Sequence, residues 1–112
     1  MEQSPIFTRT FDLLRRLIPA TVRFPRQHRF VLATALQQTA IRFQEQIICA
    51  AHTRPSRAAL EQADITLSQL RAHLRLCHTL GLFSKGQYFH VAGMVNEIGR
   101  LLGGWLKKTE NQ

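Results

Sequence analysis

The feature that most constrains this chain is an unbroken apolar run in its third quarter. Leu60, Ala63, Leu67, Leu70, Leu74 and Cys77 follow one another at alternating intervals of three and four residues. That spacing places every member on one stripe of an α-helix, whereas a strand, with its period of two, would scatter them over both faces. A stripe of this length must be covered, so the rest of the chain has to supply partner helices.

It does so three times. Phe7, Phe11, Leu14 and Ile18 mark a first helix over about residues 4–23, in which Pro19 is expected to cause a kink or an early end. Leu32, Leu36, Thr39, Phe43 and Ile47 mark a second over about 26–52, with no Gly or Pro inside it. Thr53-Arg54-Pro55-Ser56 reads as the next turn, with Ser56 as N-cap of the third helix, about 57–81, and Gly81 at the position just past its end. Ser84-Lys85-Gly86-Gln87 fits a capping box at the head of a fourth helix, about 85–108. The stripe of that helix is Val91, Val95, Ile98, Leu102 and Trp105, and Lys107 and Lys108 suit the negative end of its dipole. Residues beyond Lys108 are expected to fray. The expected architecture is a single all-α domain over residues 1–112, an antiparallel up-down-up-down four-helix bundle. Ile41, Ile48, Leu76, Leu82, Phe89, Met94 and Leu101 fall outside the stripes, and either a wide core face or a subunit interface accounts for them.

Charge narrows the function. Fifteen Lys and Arg stand against seven Asp and Glu, a formal charge of +8, and twelve of the cations are Arg. Such an excess repels itself and serves an anionic partner, nucleic acid first and a membrane surface second. Arg grips phosphate bidentately and stacks on bases, which favours RNA. No stretch approaches 18 uncharged apolar residues, and Met1-Glu2-Gln3-Ser4-Pro5 lacks a signal-peptide pattern, so residence in the cytoplasm is expected. Cys49 and Cys77 lie among apolar residues and read as small buried thiols of a reducing compartment.

The cations fall in groups. Arg9, Arg16 and Arg23 recur every seventh residue, and Asp12 is spaced to pair with Arg16. Arg23, Arg26, His28 and Arg29 gather at the first turn, Arg71 and Arg75 sit four apart on the third helix, and Arg100, Lys107 and Lys108 lie on the outer face of the fourth. Arg16, Arg23, Arg26, Arg29, Arg71, Arg75, Arg100 and Lys107 are the candidate contacts to nucleic acid or a protein partner. A solvated basic surface is the bland alternative.

Signals for catalysis are weak. His73 and His78 are five apart and do not share a helical face, so no metal site is expected. No nucleophile motif or cofactor motif is present. Arg23 to His28 spells R-x4-H, similar to the motif of the all-α HEPN ribonucleases, but Pro25 sets it in a turn. Gly99, Gly103 and Gly104, beside Trp105, lower helix propensity and point to close packing with a neighbouring helix or subunit.

These residues together resemble a known family. Glu97-Ile98-Gly99-Arg100-Leu101-Leu102-Gly103-Gly104-Trp105 resembles the E-[IV]-G-R-x-L-G-x-W signature of the accessory variability determinant (Avd) proteins of diversity-generating retroelements, relatives of the proteins encoded by 23S rRNA intervening sequences. Ile18-Pro19 with Phe24-Pro25-Arg26-Gln27-His28 resembles that family's first turn, and Leu70-Arg71-Ala72-His73-Leu74-Arg75 its L-R-x-x-L-R stretch. The resemblance implies a ring or barrel of five subunits that binds a reverse transcriptase and its template-repeat RNA without a catalytic site, in support of mutagenic complementary-DNA synthesis. It carries over Arg71, Arg75 and Arg100, then Arg26. The alternatives are a stand-alone four-helix-bundle RNA-binding protein, a HEPN-like ribonuclease, and a structural oligomer whose charge serves solubility.

Overall fold

The computed structural model describes residues 4–111, so Met1, Glu2, Gln3 and Gln112 lie outside the described residues. Helices dominate it. We label them α1 (Pro5–Val22), α2 (residues 26–51), α3 (Arg57–Thr79) and α4 (Lys85–Lys108). The second is composite: a turn of α-helix, Arg26–His28, passes through a π-helical stretch, Arg29–Ala33, into Thr34–Ala51. α1 packs against α2 and α4, and α3 against α2 and α4, so the four enclose one core.

α3 forms as its spacing requires. Leu60, Ala63, Leu67, Leu70 and Cys77 are fully buried and Leu74 nearly so. The helix stops in a double hydrogen bond around Gly81, whose N–H donates to the His78 carbonyl at 3.0 Å while that of Leu82 donates to Cys77 at 2.9 Å. Gly81 has φ +77°, a conformation that disfavours any side chain, and this explains the glycine. Ser56 occupies the N-cap position and is buried. At the head of α4 the capping box is complete: Gln87 N–H donates to Ser84 Oγ at 3.1 Å and Ser84 N–H to Gln87 Oε1 at 2.9 Å. Val91, Val95, Ile98 and Leu102 are buried, with Trp105 half-buried at the end of the stripe.

Three expectations need correction. First, of the kink or early end expected at Pro19, the early end does not occur: α1 runs to Val22, in keeping with the expected span of about 4–23, with Pro19 exposed and nearly a turn of helix beyond it. Second, its core stripe is rotated. Ile6, Thr10, Leu13, Leu14, Leu17 and Thr21 are buried, Phe7 and Ile18 are half-buried, and Phe11 is 57% exposed. Two apolar sets interleave here at helical spacing, and the one that faces inward is completed by threonines. Thr21 satisfies its hydroxyl on the Ile18 carbonyl at 2.7 Å and accepts from Gln37 Nε2 at 2.8 Å. Third, Thr109–Asn111 is not frayed but forms a 3-10 turn, with Thr109 buried and its hydroxyl donating to the Leu106 carbonyl at 2.6 Å.

α2 also differs from the single uninterrupted α-helix expected. Its buried stripe, Ala33, Leu36, Ala40, Phe43 and Ile47, extended backwards at α spacing would land on Arg29. The wider π turn adds one residue per cycle and moves that cation to the surface, leaving half-buried His28 nearest the core. Of the apolar residues outside the stripes, Ile41, Ile48, Leu76 and Phe89 are exposed, whereas Leu82, Met94 and Leu101 pack against the core.

The cysteines are not alike. Cys77 is fully buried, and burial pushes its thiol from an ordinary 9.0 up to about 11. Cys49, against expectation, is exposed on α2, where Thr53 donates to its carbonyl at 2.7 Å. The folded chain should therefore release one thiol to a thiol-titrating reagent at neutral pH, Cys49, and the second only after denaturation. Because the folded Cys77 holds its proton more tightly than the unfolded one, its contribution to stability is intact below pH 9.0 and fades as pH rises toward about 11. A second test concerns Thr10, whose hydroxyl is buried in the core without a hydrogen-bond partner. Thr10→Val removes that orphan at nearly constant shape and should stabilise the fold by roughly 1 kcal/mol in urea titration.

Candidate nucleic-acid interface

The α1–α2 turn and the α3–α4 loop lie side by side. Phe24, buried in the first, packs edge-on against buried Phe83 in the second, with ring centroids 5.2 Å apart. Backbone bonds tighten the first turn: Arg23 N–H donates to Ala20, Phe24 N–H to Thr21 and His28 N–H to Pro25. Across the loop, His78 at the end of α3 stacks on Tyr88 near the start of α4, with centroids 4.2 Å apart and planes 4° from parallel.

Four surface grooves receive most of the candidate cations. Arg16 and Arg23 line one of about 330 Å³ between α1 and α4, with Pro19, Phe83, Gln87 and Val91. Arg71 and Arg75 line one of about 220 Å³ between α3 and α4, with Tyr88, Ala92 and Asn96. Arg26 and Arg29 border a third of about 480 Å³ at the head of α2. Arg100 lines a fourth of about 320 Å³ beside Ile6, Gly104, Trp105 and Lys108, toward the far end of the bundle. Lys107 is exposed on the last turn of α4. The structure thus brings Arg16, Arg23, Arg26, Arg29 and Arg75 toward the end where Phe24 meets Phe83, whereas the Arg71 guanidinium reaches Gly99, beside Arg100 and past the midpoint of α4, and Lys107 lies on the last turn of that helix. None of the described grooves holds both Arg23 and His28.

Charge is segregated along the bundle. Residues 13–44 and 65–96 contain no Asp or Glu, and these stretches supply the turn, the loop and the flanking halves of their helices. The ion pairs of the described residues lie elsewhere: Arg9 Nε donates to Glu97 Oε1 at 2.8 Å, and Arg57 Nε approaches Glu61 Oε2 at 4.0 Å. The Glu97 hydrogen bond raises the Arg9 pKa above its ordinary value. Asp12 does not pair with Arg16 as its spacing suggested; side chains four apart must still meet, and this carboxylate acts on Arg9 instead. No cluster of three or more His, Cys, Asp or Glu among the described residues could hold a metal ion, and none of their helices is long and apolar enough to cross a membrane.

The sequence model of a family described as bAvd-like matches residues 6–109. The chain belongs to the bAvd-like family. The match covers all four helices and both arginine-bearing ends of the bundle, while no curated protein matches the chain.

Within this bAvd-like chain the three glycines near the end of α4 play different parts. A Cβ on Gly99 would collide with the guanidinium of Arg71, so the missing side chain on α4 makes the seat in which the α3 arginine rests. Gly103 and Gly104 are exposed, and a Cβ on either would meet nothing within 4 Å. The close approach of a neighbouring helix expected for all three is made at Gly99, by Arg71 and Leu67 of α3, and not at Gly103 or Gly104 within this chain. Trp105 serves packing, edge-on to Phe7 at 5.9 Å. Residues that sequence reasoning passed over also line the grooves: Phe30, Gln37, Tyr88 and Asn96. Only Phe30 carried a signal, as an apolar residue off the α2 stripe.

Gly103→Ala should raise stability by up to about 1 kcal/mol, the ordinary gain from helix propensity. Gly99→Ala should gain somewhat less, because its methyl group displaces the far end of the Arg71 side chain, which is exposed and free to swing aside. Urea midpoints of the two variants measured side by side check this, and equal gains would remove the link between Gly99 and Arg71.

Proposed function

We propose that this chain is a non-catalytic accessory subunit of a diversity-generating retroelement, acting in the cytoplasm, which binds the reverse transcriptase and its template-repeat RNA and supports mutagenic complementary-DNA synthesis. Membership of the bAvd-like family supports the setting. The observation that carries the binding role is the carboxylate-free stretch toward one end of the bundle, where Arg16, Arg23, Arg26, Arg29 and Arg75 line three grooves and Arg71 extends the path along α3 toward Gly99. Concentrating like charges costs folding energy that a polyanion offsets on binding.

In this reading Arg71 and Arg75 contact phosphate from the α3–α4 groove, Arg16, Arg23, Arg26 and Arg29 extend the path, and Arg100 with Lys107 faces the protein partner. Phe7 against Trp105, Phe24 against Phe83 and His78 against Tyr88 join helix beginnings to helix ends, which supports an up-down-up-down course. Exposed Phe11, Ile41, Ile48, Ile65 and Leu76 support assembly of several copies, a ring of five in this reading. Joining copies would multiply weak phosphate contacts into avidity.

The test is co-purification of the chain with the reverse transcriptase encoded beside it and that enzyme's RNA, with mass analysis at low and moderate salt. A stable complex carrying several copies of the chain is expected. A free oligomer that retains neither partner sinks the proposal. Arg71→Ala should flatten the dependence of log affinity on log salt by roughly 0.7, the slope that one neutralised phosphate contributes on a single strand. An unchanged slope would take Arg71 out of the interface.

A further inference from the structure

Phe30 is 86% exposed, more than any other large apolar side chain among the described residues. The core does not need it, since the buried stripe of α2 begins at Ala33. It stands in the π-helical stretch and walls the groove of about 480 Å³ that it shares with Val22, Arg26, Arg29, Ala33 and Gln37.

The polar groups of this groove are held in place. Arg29 Nε donates to the Phe24 carbonyl at 3.1 Å, which ties its guanidinium to the α1–α2 turn at the wall of the groove. Gln37 Nε2 donates to Thr21 Oγ1 at 2.8 Å, which leaves the amide oxygen as the acceptor of that side chain. The surrounding stretch, residues 13–44, has no carboxylate to neutralise Arg23, Arg26 or Arg29. An exposed ring in one groove with a tethered guanidinium, Arg29, and a second exposed one, Arg26, matches one ligand chemistry: a base with a face to stack, carried on a phosphate backbone. A second copy, itself carrying a formal charge of +8, would bring like charges together at this groove, which disfavours it as the occupant.

We propose that this groove takes an unpaired nucleotide of single-stranded RNA, with its base stacked on Phe30 and its flanking phosphates on Arg26 and Arg29. The proposal rests on the reading of the basic end as an RNA interface and adds a base-stacking position to a surface that otherwise recognises charge alone.

The experiment is fluorescence anisotropy of the full chain with a labelled adenosine homopolymer and with an abasic oligonucleotide of the same length, alongside native mass measurement. Phe30→Ala should weaken homopolymer binding about tenfold, in line with removal of one stacked base, and leave abasic binding and the salt slope unchanged. Phe30→Tyr, which keeps the ring, should bind like the parent. Equal binding of the homopolymer by the parent and Phe30→Ala overturns the stacking role alone, because RNA binding itself persists. A parent chain that binds neither oligonucleotide overturns the RNA-interface reading and this inference together. Dissociation of the oligomer in Phe30→Ala would mark the ring as a subunit contact and also overturn it.

Discussion

Burial of the α3 stripe is the constraint from which the rest of the bundle follows. Six positions from Leu60 to Cys77 are withdrawn from water, a gain on the order of 10 kcal/mol at ordinary transfer values before chain entropy is counted. Two neighbours, α2 and α4, have to meet that stripe, and α1 closes the remaining side. The chain tolerates local faults to preserve this: a proline inside α1, an orphan hydroxyl at Thr10 and a widened turn at the head of α2.

The second organising fact is that charge is arranged independently of the core. Arg9 and Arg57 have carboxylate partners, yet the cations around the Phe24–Phe83 contact have none within 4 Å among the described residues. Exposed ion pairs contribute little to stability, so adding carboxylates here would gain the fold almost nothing and would cancel the field. The arrangement makes sense only if the field itself is useful. Gly99 concedes helix propensity on α4 and thereby leaves room for the guanidinium of Arg71.

How much of this was legible in the sequence depends on how far each feature reaches. α3, the Gly81 stop and the Ser84–Gln87 box were readable because each is fixed by spacing within one short segment. α1 was readable as a helix but not in its rotation: two apolar sets compete, and the one that wins includes Thr10 and Thr21, whose burial depends on neighbours such as Gln37. The basic residues could be named, but not their grouping, because Tyr88 and Asn96 join Arg71 and Arg75 only through helix packing. Gly99 stood out as an anomaly, while its cause lies on another helix.

The π-helical stretch links the core to the basic end. A regular helix from Arg26 onward would satisfy the backbone and yet turn Arg29 toward apolar neighbours, where an unpaired guanidinium is costly. Moving the widened turn further along α2 would instead disturb Leu36 and Phe43, both fully buried. Residues 29–33 are thus the segment where the extra residue costs the core least. Its consequence is a run of three exposed residues, Arg29, Phe30 and Val31, held against the α1–α2 turn by the bond from Arg29 to Phe24. An irregularity that packing requires therefore delivers a cation and an aromatic ring together onto a carboxylate-free stretch of the surface. Relocating the wide turn by even one residue would separate the two, so the identity of the surface is tied to the register of the core beneath it.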